Sequence, residues 1–540
     1  FTADMHSFGL KRIEDVSFLR NFQFAEDQGP TSHAVKPKEY VAIDNFYTTT
    51  IYEKGAELIR MLQLLLGQKR FMKGIKVYID TFDGCAATTE DFVYSIMKGA
   101  YSNDEIPSFD IDQFQNWYDK AGTPKVKINQ SWDPKTSTLN ILFEQKLIND
   151  QNNENIEMVI PVLYSCYGRG KDSEPIVEDC LFVLDKQIKQ LKIKDVKKRK
   201  EAPVLSIFRD FSAPVIWESD LSTDDYLFLF LNDNDYFTKW DSGQLLMRKI
   251  IKSRIEKQVD FLLEESFNKA IKQSINDLEN KDPALLATLI SLPGLSEIEN
   301  LFEKVNPILI HKECINFQFS IGLHLIDDLR KLTEKVLVNV NKSWPNGNGS
   351  RKLLAKTWFY LALAGDSQVR RNCVDAIGDS SMTIARAALG ALKLLESSET
   401  QEASNLFYNR WKDNPVVLDS WFSYEASRPH KQGIDIVEKL LSHSKFDWKA
   451  PNAIRAVLGG FSQNIESFHS LDGQGYLFMA DKLIEVDKRN PITASRMVKV
   501  FSKWKTYIEQ NKEEMYKAIL KINQSSISSN TREVVELILK

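Results

Sequence analysis

Few side chains in this sequence are placed to do chemistry. Its seven histidines, His6, His33, His311, His324, His430, His443 and His469, are scattered. His311, Cys314 and His324 form the one local cluster of metal-ligand type, and their spacing matches no closed zinc motif, so ordinary helix packing or surface exposure is the expected reading. A Gly-x-Ser-x-Gly elbow and a glycine-rich phosphate loop ending in Gly-Lys-Ser or Gly-Lys-Thr are both absent, so no independent catalytic centre is expected in the chain alone. One tyrosine is set at the start of an expected helix: Tyr52, inside Asn45-Phe-Tyr-Thr-Thr-Thr-Ile-Tyr-Glu-Lys-Gly-Ala-Glu-Leu-Ile-Arg60. A phenol held at the start of a helix can donate a hydrogen bond to a developing oxyanion, and a fixed donor need not reorganise as charge appears. By residue type alone, a tyrosine on a helix face more often serves packing.

The element that must hold it is legible. Ile59, Leu62, Leu65 and Leu66 follow Tyr52 and Ala56 at three- and four-residue steps, so one apolar face carrying Tyr52 is expected, with Gly67 as the stop. Pro30 and Pro37 interrupt the approach to Val41-Ala-Ile43, and Phe71 to Phe82 reads as a further short helix closed by Asp83-Gly84. Thr88-Thr-Glu-Asp91 reads as a capping box ahead of Phe92, Val93, Ile96 and Met97. Asp110 is expected to cap the helix carrying Ile111, Phe114 and Trp117. Residues 1–121 are therefore helices joined by loops.

At Gly122-Thr-Pro124 the period changes. Lys125 to Asn129 and parts of Thr138 to Glu144 alternate, while Met158 to Leu163 and Cys180 to Leu184 are short buried-strand candidates, predicting a small β-sandwich over 122–219. The basic run Lys194 to Lys200 has no interleaved aromatic residue and precedes an Ala202 to Ser206 strand, so a solvated face is preferred over a nucleic-acid patch. From 220 to 540 the chain is helical. Tyr236 to Glu264 reads as one long helix, with further apolar periods at Ala284 to Leu301, Phe319 to Val338, Leu353 to Leu363 and Met382 to Leu395, and a breaker at Ser343 to Ser350. Stacked helix pairs would make a solenoid with a concave face.

Composition bounds the partners. Seventy Lys and Arg against 74 Asp and Glu give a net charge of -4, too balanced for general attraction to nucleic acid or an anionic membrane. Five widely spaced cysteines favour free thiols in a reducing compartment, with Cys166 and Cys180 either a pair on neighbouring strands or plain core residues. The first residues do not read as a signal peptide and no apolar run would span a bilayer, so a cytoplasmic protein is expected.

The Asn45 to Arg60 string resembles a segment of the M1 zinc aminopeptidases, the bacterial aminopeptidase N branch in particular. Matching strings run in order along the chain: Phe22 to Pro30, Ser32 to Lys38, Trp117 to Pro124, Asp210 to Val215, Asn234 to Leu246, Pro451 to Arg455 and Arg489 to Arg496. The resemblance implies a multidomain α+β protein: the distal helical half of a thermolysin-like catalytic domain, a β-sandwich, and a C-terminal helical bowl over the active-site cavity. His-Glu-x-x-His, which holds zinc and its water-polarising base in this family, occurs nowhere in the sequence. The chain therefore reads as the C-terminal part of such an enzyme, cut behind its metal site. Zinc is expected in the complete enzyme and no metal, and no activity, in this chain alone. A peptide substrate and the remaining N-terminal portion of the same protein are the implied partners, and a monomer is the implied complete form.

By the same resemblance Tyr52 is the catalytic oxyanion donor, and Tyr47 is the aromatic beside the pocket for the substrate's first side chain, with core packing as the alternative. Arg455 and Arg496 face the cavity and bind substrate carboxylate or carbonyl, with helix–helix ion pairs as the alternative. Asp44-Asn45 departs from the two carboxamides common in the family, which keeps an acceptor and loses a donor. A catalytically inactive peptide- or protein-binding remnant of the family is the competing functional reading.

Overall fold

The structure, a computed structural model, describes all residues but 1, 41–42, 103–104, 149–155, 170–173, 195–200, 280, 344–345, 380 and 431, and leaves the side chains of 2–6 and 8 undescribed. The basic run thus falls outside the described residues except for Lys194, as do Val41 and Ala42 and two residues of the Ser343 to Ser350 breaker. The chain forms two compact units. One comprises residues 11–40 and 46–239, the other 1–10, 41–45 and 240–540.

In the first unit, helices Gly55–Leu66, Gln68–Phe82 and Thr89–Ala100 pack in succession. Thr88 accepts from the Asp91 backbone N–H at 3.1 Å while Asp91 accepts from the Thr88 N–H at 2.9 Å, the reciprocal cap that the sequence predicts. Gly74 and Gly99 let the second and third of these helices approach at backbone distance, since a Cβ on Gly74 would lie 2.6 Å from Ile96 backbone atoms. Asp110 caps a helix as expected, but that helix, Ile111–Phe114, stops short of Trp117, which lies in a separate short helix, Asn116–Asp119. Trp117, fully buried, donates from its indole to the Val159 carbonyl at 2.8 Å, joining these helices to the strands that follow.

The described strands make two facing sheets: β1 (Pro124–Asp133), β2 (Thr138–Leu147), β3 (Ile160–Tyr167), β4 (Pro175–Leu184), β5 (Ile188–Ile193), β6 (Val204–Ile207) and β7 (Ile216–Ser219). The orders are β5-β2-β1-β7 and β4-β3-β6, with only the β1–β7 pairing parallel among the described strands. Val126 and Ile128 of β1 and Leu139, Ile141 and Phe143 of β2 point inward at period two, and Phe143 meets Phe182 of the other sheet at 5.2 Å between centroids. All five cysteines of the chain are free, and burial pushes the Cys166 thiol up to about 12.

The second unit is a helical array in which neighbours in sequence pack together; Asn348–Leu363, for example, lies against both Ile326–Leu337 and Met382–Leu392. Its helix starts repeat one local device. Asp282, Asn306, Asn414 and Asn490 each cap a helix whose first residue is proline, so the side-chain oxygen takes an orphan N–H and the ring removes another. Three expected spans are corrected, one being the Ala284 to Leu301 period, which is split between Pro283–Leu289 and Leu295–Glu299. Tyr236 to Glu264 is not one helix: Tyr236–Ile255 ends at Lys257, which has φ of 58°, and Asp260 caps a new helix, Phe261–Leu278. The Phe319 to Val338 period likewise straddles two helices, Pro307–His324 and Ile326–Leu337.

Candidate functional site

Tyr52 lies in a π-turn, Thr50–Lys54, that runs into the Gly55–Leu66 helix. Single π-turns inside α-helices recur at functional sites because the wider turn redirects side chains. The expected apolar face is rotated from the observed one. Tyr52 is 60% exposed and Ala56 is exposed, whereas the buried ridge runs through Lys54, Glu57, Leu58, Met61, Leu62 and Leu65. Two charged residues belong to that ridge because both have buried partners. Lys54 Nζ donates to Asp27 Oδ2 at 2.9 Å and to the Gly122 carbonyl at 2.9 Å; Glu57 accepts two 2.6 Å bonds from the Arg12 guanidinium.

Asp27 is fully buried, and both of its oxygens are served by donors. The Gly122 N–H reaches Oδ1 at 2.9 Å and Thr123 Oγ1 reaches Oδ2 at 3.0 Å. Burial pushes the Asp27 carboxyl up, but the Lys54 charge and these hydrogen bonds outweigh it and hold the carboxyl below its ordinary value. Gly122 can make this close approach because it has φ of 100°, and a Cβ there would sit 1.9 Å from the Ile148 carbonyl oxygen.

A second anchor holds the preceding residues. Glu26 Oε1 accepts from Thr49 Oγ1, the Thr50 N–H and Thr50 Oγ1, each at 2.9 Å, and Gln23 Nε2 donates to Thr50 Oγ1 at 3.4 Å. His33 Nδ1 lies 2.8 Å from the Thr31 carbonyl, which places the ring proton there, so Nε2 accepts from Thr48 Oγ1 at 2.8 Å. Thr48 Oγ1 in turn accepts the Ile51 N–H at 3.3 Å. The backbone on both sides of Tyr52 is therefore fixed while its hydroxyl makes no hydrogen bond to another described residue. The Tyr47 ring, 53% exposed, stacks on the Tyr52 ring at 6.4 Å between centroids and an interplanar angle of 29°.

Sequence reasoning missed Glu26, Asp27, His33 and Lys54 as parts of this arrangement. Their only sequence signal was position, since Glu26 and Asp27 sit inside the Phe22 to Pro30 string. Arg455 and Arg496 belong to the other compact unit. Arg455 opens a π-turn, Arg455–Gly459, is exposed, and donates to Asn452 Oδ1 at 3.2 Å. Arg496 is exposed in the last turn of the Pro491–Met497 helix and makes no hydrogen bond or ion pair to another described residue. Among the described residues, then, neither arginine forms an interhelical ion pair. Among the same residues no three His, Cys, Asp or Glu side chains group so as to hold a metal, so the residues present do not fit a zinc site. No helix among them is long and apolar enough to cross a membrane.

Residues 8–117 match the description "Peptidase family M1 domain", residues 122–220 a domain of unknown function with an Ig-like fold, and residues 223–540 its companion domain with ARM repeats. Among curated proteins the chain is similar to aminopeptidase N of Caulobacter vibrioides, 32% identical over 94% of this chain and 58% of that protein. It is also similar to aminopeptidase N of Haemophilus influenzae, 30% identical over 100% of this chain and 62% of the relative, and to that of Escherichia coli, 30% over 96% and 60%. The chain thus spans about three fifths of the length of the curated relatives it matches. A crystal structure of Legionella pneumophila aminopeptidase A in complex with aspartic acid shares the fold, with a TM-score of 0.85, 24% identity and coverage of 95% of this chain and 59% of that one.

Proposed function

Because this chain belongs to the M1 aminopeptidase family, in its aminopeptidase N-like branch, we propose that it supplies the oxyanion donor and peptide-binding side chains of a site that cleaves N-terminal residues from peptides. The observation that carries this reading is the Tyr52 hydroxyl: solvent-facing, free of hydrogen bonds to other described residues, and mounted on a turn pinned by Glu26 on one side and by the buried Asp27–Lys54 pair on the other. Such a donor costs little reorganisation when the carbonyl oxygen of a scissile peptide becomes negative. Tyr47 presents an aromatic face beside it for the first side chain, and the Arg496 guanidinium, unpaired among the described residues, suits a peptide carboxylate or carbonyl. Zinc would supply Lewis-acid chemistry in the whole protein, where residues outside this sequence would hold it, together with the base that activates water.

A second reading rests on a specific observation. The sequence contains no His-Glu-x-x-His, and the described residues group no metal ligands, which supports the reading that this chain by itself is a peptide- or protein-binding remnant of the family. One set of measurements addresses both. Tyr52→Phe in the whole protein keeps the ring and removes the donor; turnover should fall about a hundredfold to a thousandfold, equivalent to roughly 2.7–4 kcal/mol, with a much smaller change in KM. Turnover within about threefold of the unmodified protein, with metal content and melting temperature intact, removes Tyr52 from the mechanism. The chain on its own should bind short peptides in isothermal titration and release no amino acid from them; peptide cleavage with one retained zinc per chain after chelator washing would overturn the binding-only reading.

A further inference from the structure

The Tyr47–Tyr52 stack continues into two more rings. Phe46 meets Tyr47 edge-on at 5.7 Å between centroids, and Tyr40 meets Phe46 edge-on at 5.6 Å, so four rings follow one another in the order Tyr40, Phe46, Tyr47, Tyr52. All four belong to the same compact unit. Phe46 is half-buried, whereas Tyr40, Tyr47 and Tyr52 each keep more than half of their surface exposed. A single exposed ring on a folded surface calls for no explanation; a contiguous run of them is a surface suited to an apolar or aromatic group.

Hydrogen bonds inside the unit hold the segments that carry these rings. The His33 bond to Thr48 ties the stretch leading to Tyr40 to the residue that follows Tyr47. The same stretch is anchored at Lys36, whose backbone N–H donates to the Tyr118 carbonyl at 2.9 Å and whose ammonium pairs with Glu90. Glu26 holds Thr49 and Thr50 ahead of Tyr52. Tyr52 therefore stands at one end of the strip and Tyr40 at the other.

We propose that Tyr40 is a specificity-determining residue, the outer end of a four-ring strip along which the peptide's first side chain lies, and that the strip favours an aromatic first residue over a small one. The proposal rests on the aminopeptidase reading above. With Tyr52 at the carbonyl of the first residue and Tyr47 beside the start of its side chain, Phe46 and Tyr40 lie farther along, where an alanine methyl stops short and an aromatic ring extends. There the ring gains an edge-on or offset contact of the kind these side chains already make with one another. The test uses the whole protein with Tyr40→Ala and Tyr40→Phe, and reads the ratio of kcat/KM for phenylalanyl over alanyl amidocoumarins. Tyr40→Ala should lower the ratio about threefold to tenfold, mainly through KM, while Tyr40→Phe, which keeps the ring, should hold it to within about twofold. An unchanged ratio in folded Tyr40→Ala would overturn the proposal, as would equal losses for both substrates that track a lower melting temperature. If the unmodified protein cleaves neither substrate, the aminopeptidase reading fails, and isothermal titration with Phe-Ala-Ala and Ala-Ala-Ala decides whether the strip selects an aromatic side chain. Tighter binding of the first peptide, lost in Tyr40→Ala, supports it; equal affinities, or binding of neither, overturn it. Should Tyr40→Ala fail to fold, Tyr40→Leu carries the test, with a fall in the ratio of about twofold or more expected and no fall overturning the proposal.

Discussion

Lys54→Met probes the deepest support of the Tyr52 turn. Methionine keeps the length of the lysine stem and removes its charge and donors, leaving behind a carboxylate with no cation and a Gly122 carbonyl with no lysine donor. The side chains of Lys54 and Asp27 are 2% and 0% exposed, so water cannot compensate. Removing one partner of such a pair costs about 3–5 kcal/mol. Since Gly122 N–H and Thr123 Oγ1 still serve Asp27, the loss should fall in the lower part of that range, about 3 kcal/mol, a large fraction of the roughly 5–15 kcal/mol typical of a folded domain. The pH dependence then identifies the cause. In the unmodified protein Asp27 lies below its ordinary value, so its contribution is fully present above about pH 4 and is lost as pH falls through the lowered folded value. Without Lys54, burial dominates and the carboxyl lies above its ordinary value, so the variant's deficit should shrink as pH falls from about 7 toward 4. Tryptophan fluorescence during urea unfolding reads this directly, because Lys54 Nζ lies 6.0 Å from the Trp117 ring. A deficit under about 1 kcal/mol, or one that is the same at about pH 7.5 and pH 5, would refute the reasoning. Asp27→Asn combined with Lys54→Met should recover more than half of the loss, since the uncompensated charge is then gone.

Two further outcomes follow from other hydrogen-bonded groups. Glu26→Ala strips the shared acceptor of Thr49 and Thr50; it should cost about 2–3 kcal/mol and raise amide exchange from Thr49 to Tyr52 selectively, and exchange that rises uniformly along the unit would contradict that role. In the helical unit, Asn511 Nδ2 donates to the Tyr476 hydroxyl at 3.0 Å, so the phenol proton goes to His469 Nδ1 at 2.8 Å, and burial, reinforced by the Lys503 charge, pushes the imidazole down to about 3. A depressed value means stability that is fully present above about pH 6.5 and lost as pH falls from there toward 3; His469→Gln should therefore narrow its deficit against the parent by about 1 kcal/mol between pH 6 and pH 5, and parallel stability curves would disprove it.

What could be read from the sequence was local or repeated, and what could not was paired across distance. The Thr88–Asp91 cap and the Asp110 cap are complete within a few residues, so their chemistry is written in one short string. The alternation of Lys125 to Asn129 and Thr138 to Glu144 reports a sheet with one buried face for the same reason. The Tyr236 to Glu264 span failed at Asp260, because the apolar period carries through a break that a cap and a positive φ at Lys257 impose. The Tyr52 helix failed differently. An apolar count puts Tyr52 and Ala56 on the buried side and Lys54 and Glu57 outside, but Asp27 and Arg12, 27 and 45 positions earlier, neutralise those two charges and turn the ridge round. That rotation bears on function. A Tyr52 on the packed face would be walled in, whereas two ion pairs carry Lys54 and Glu57 inward and leave Tyr52 facing solvent, as the proposed oxyanion role requires. The hydrogen bonds of Asn45 to Glu533 and Ser495 belong to the same class of information: these partners are 488 and 450 positions away, and the string around Asn45 shows only a carboxamide before an aromatic pair. Lys54 and Glu57, which look like surface charge in a periodicity count, are each matched by a distant opposite charge, and they turn the helix so that Tyr52 faces outward.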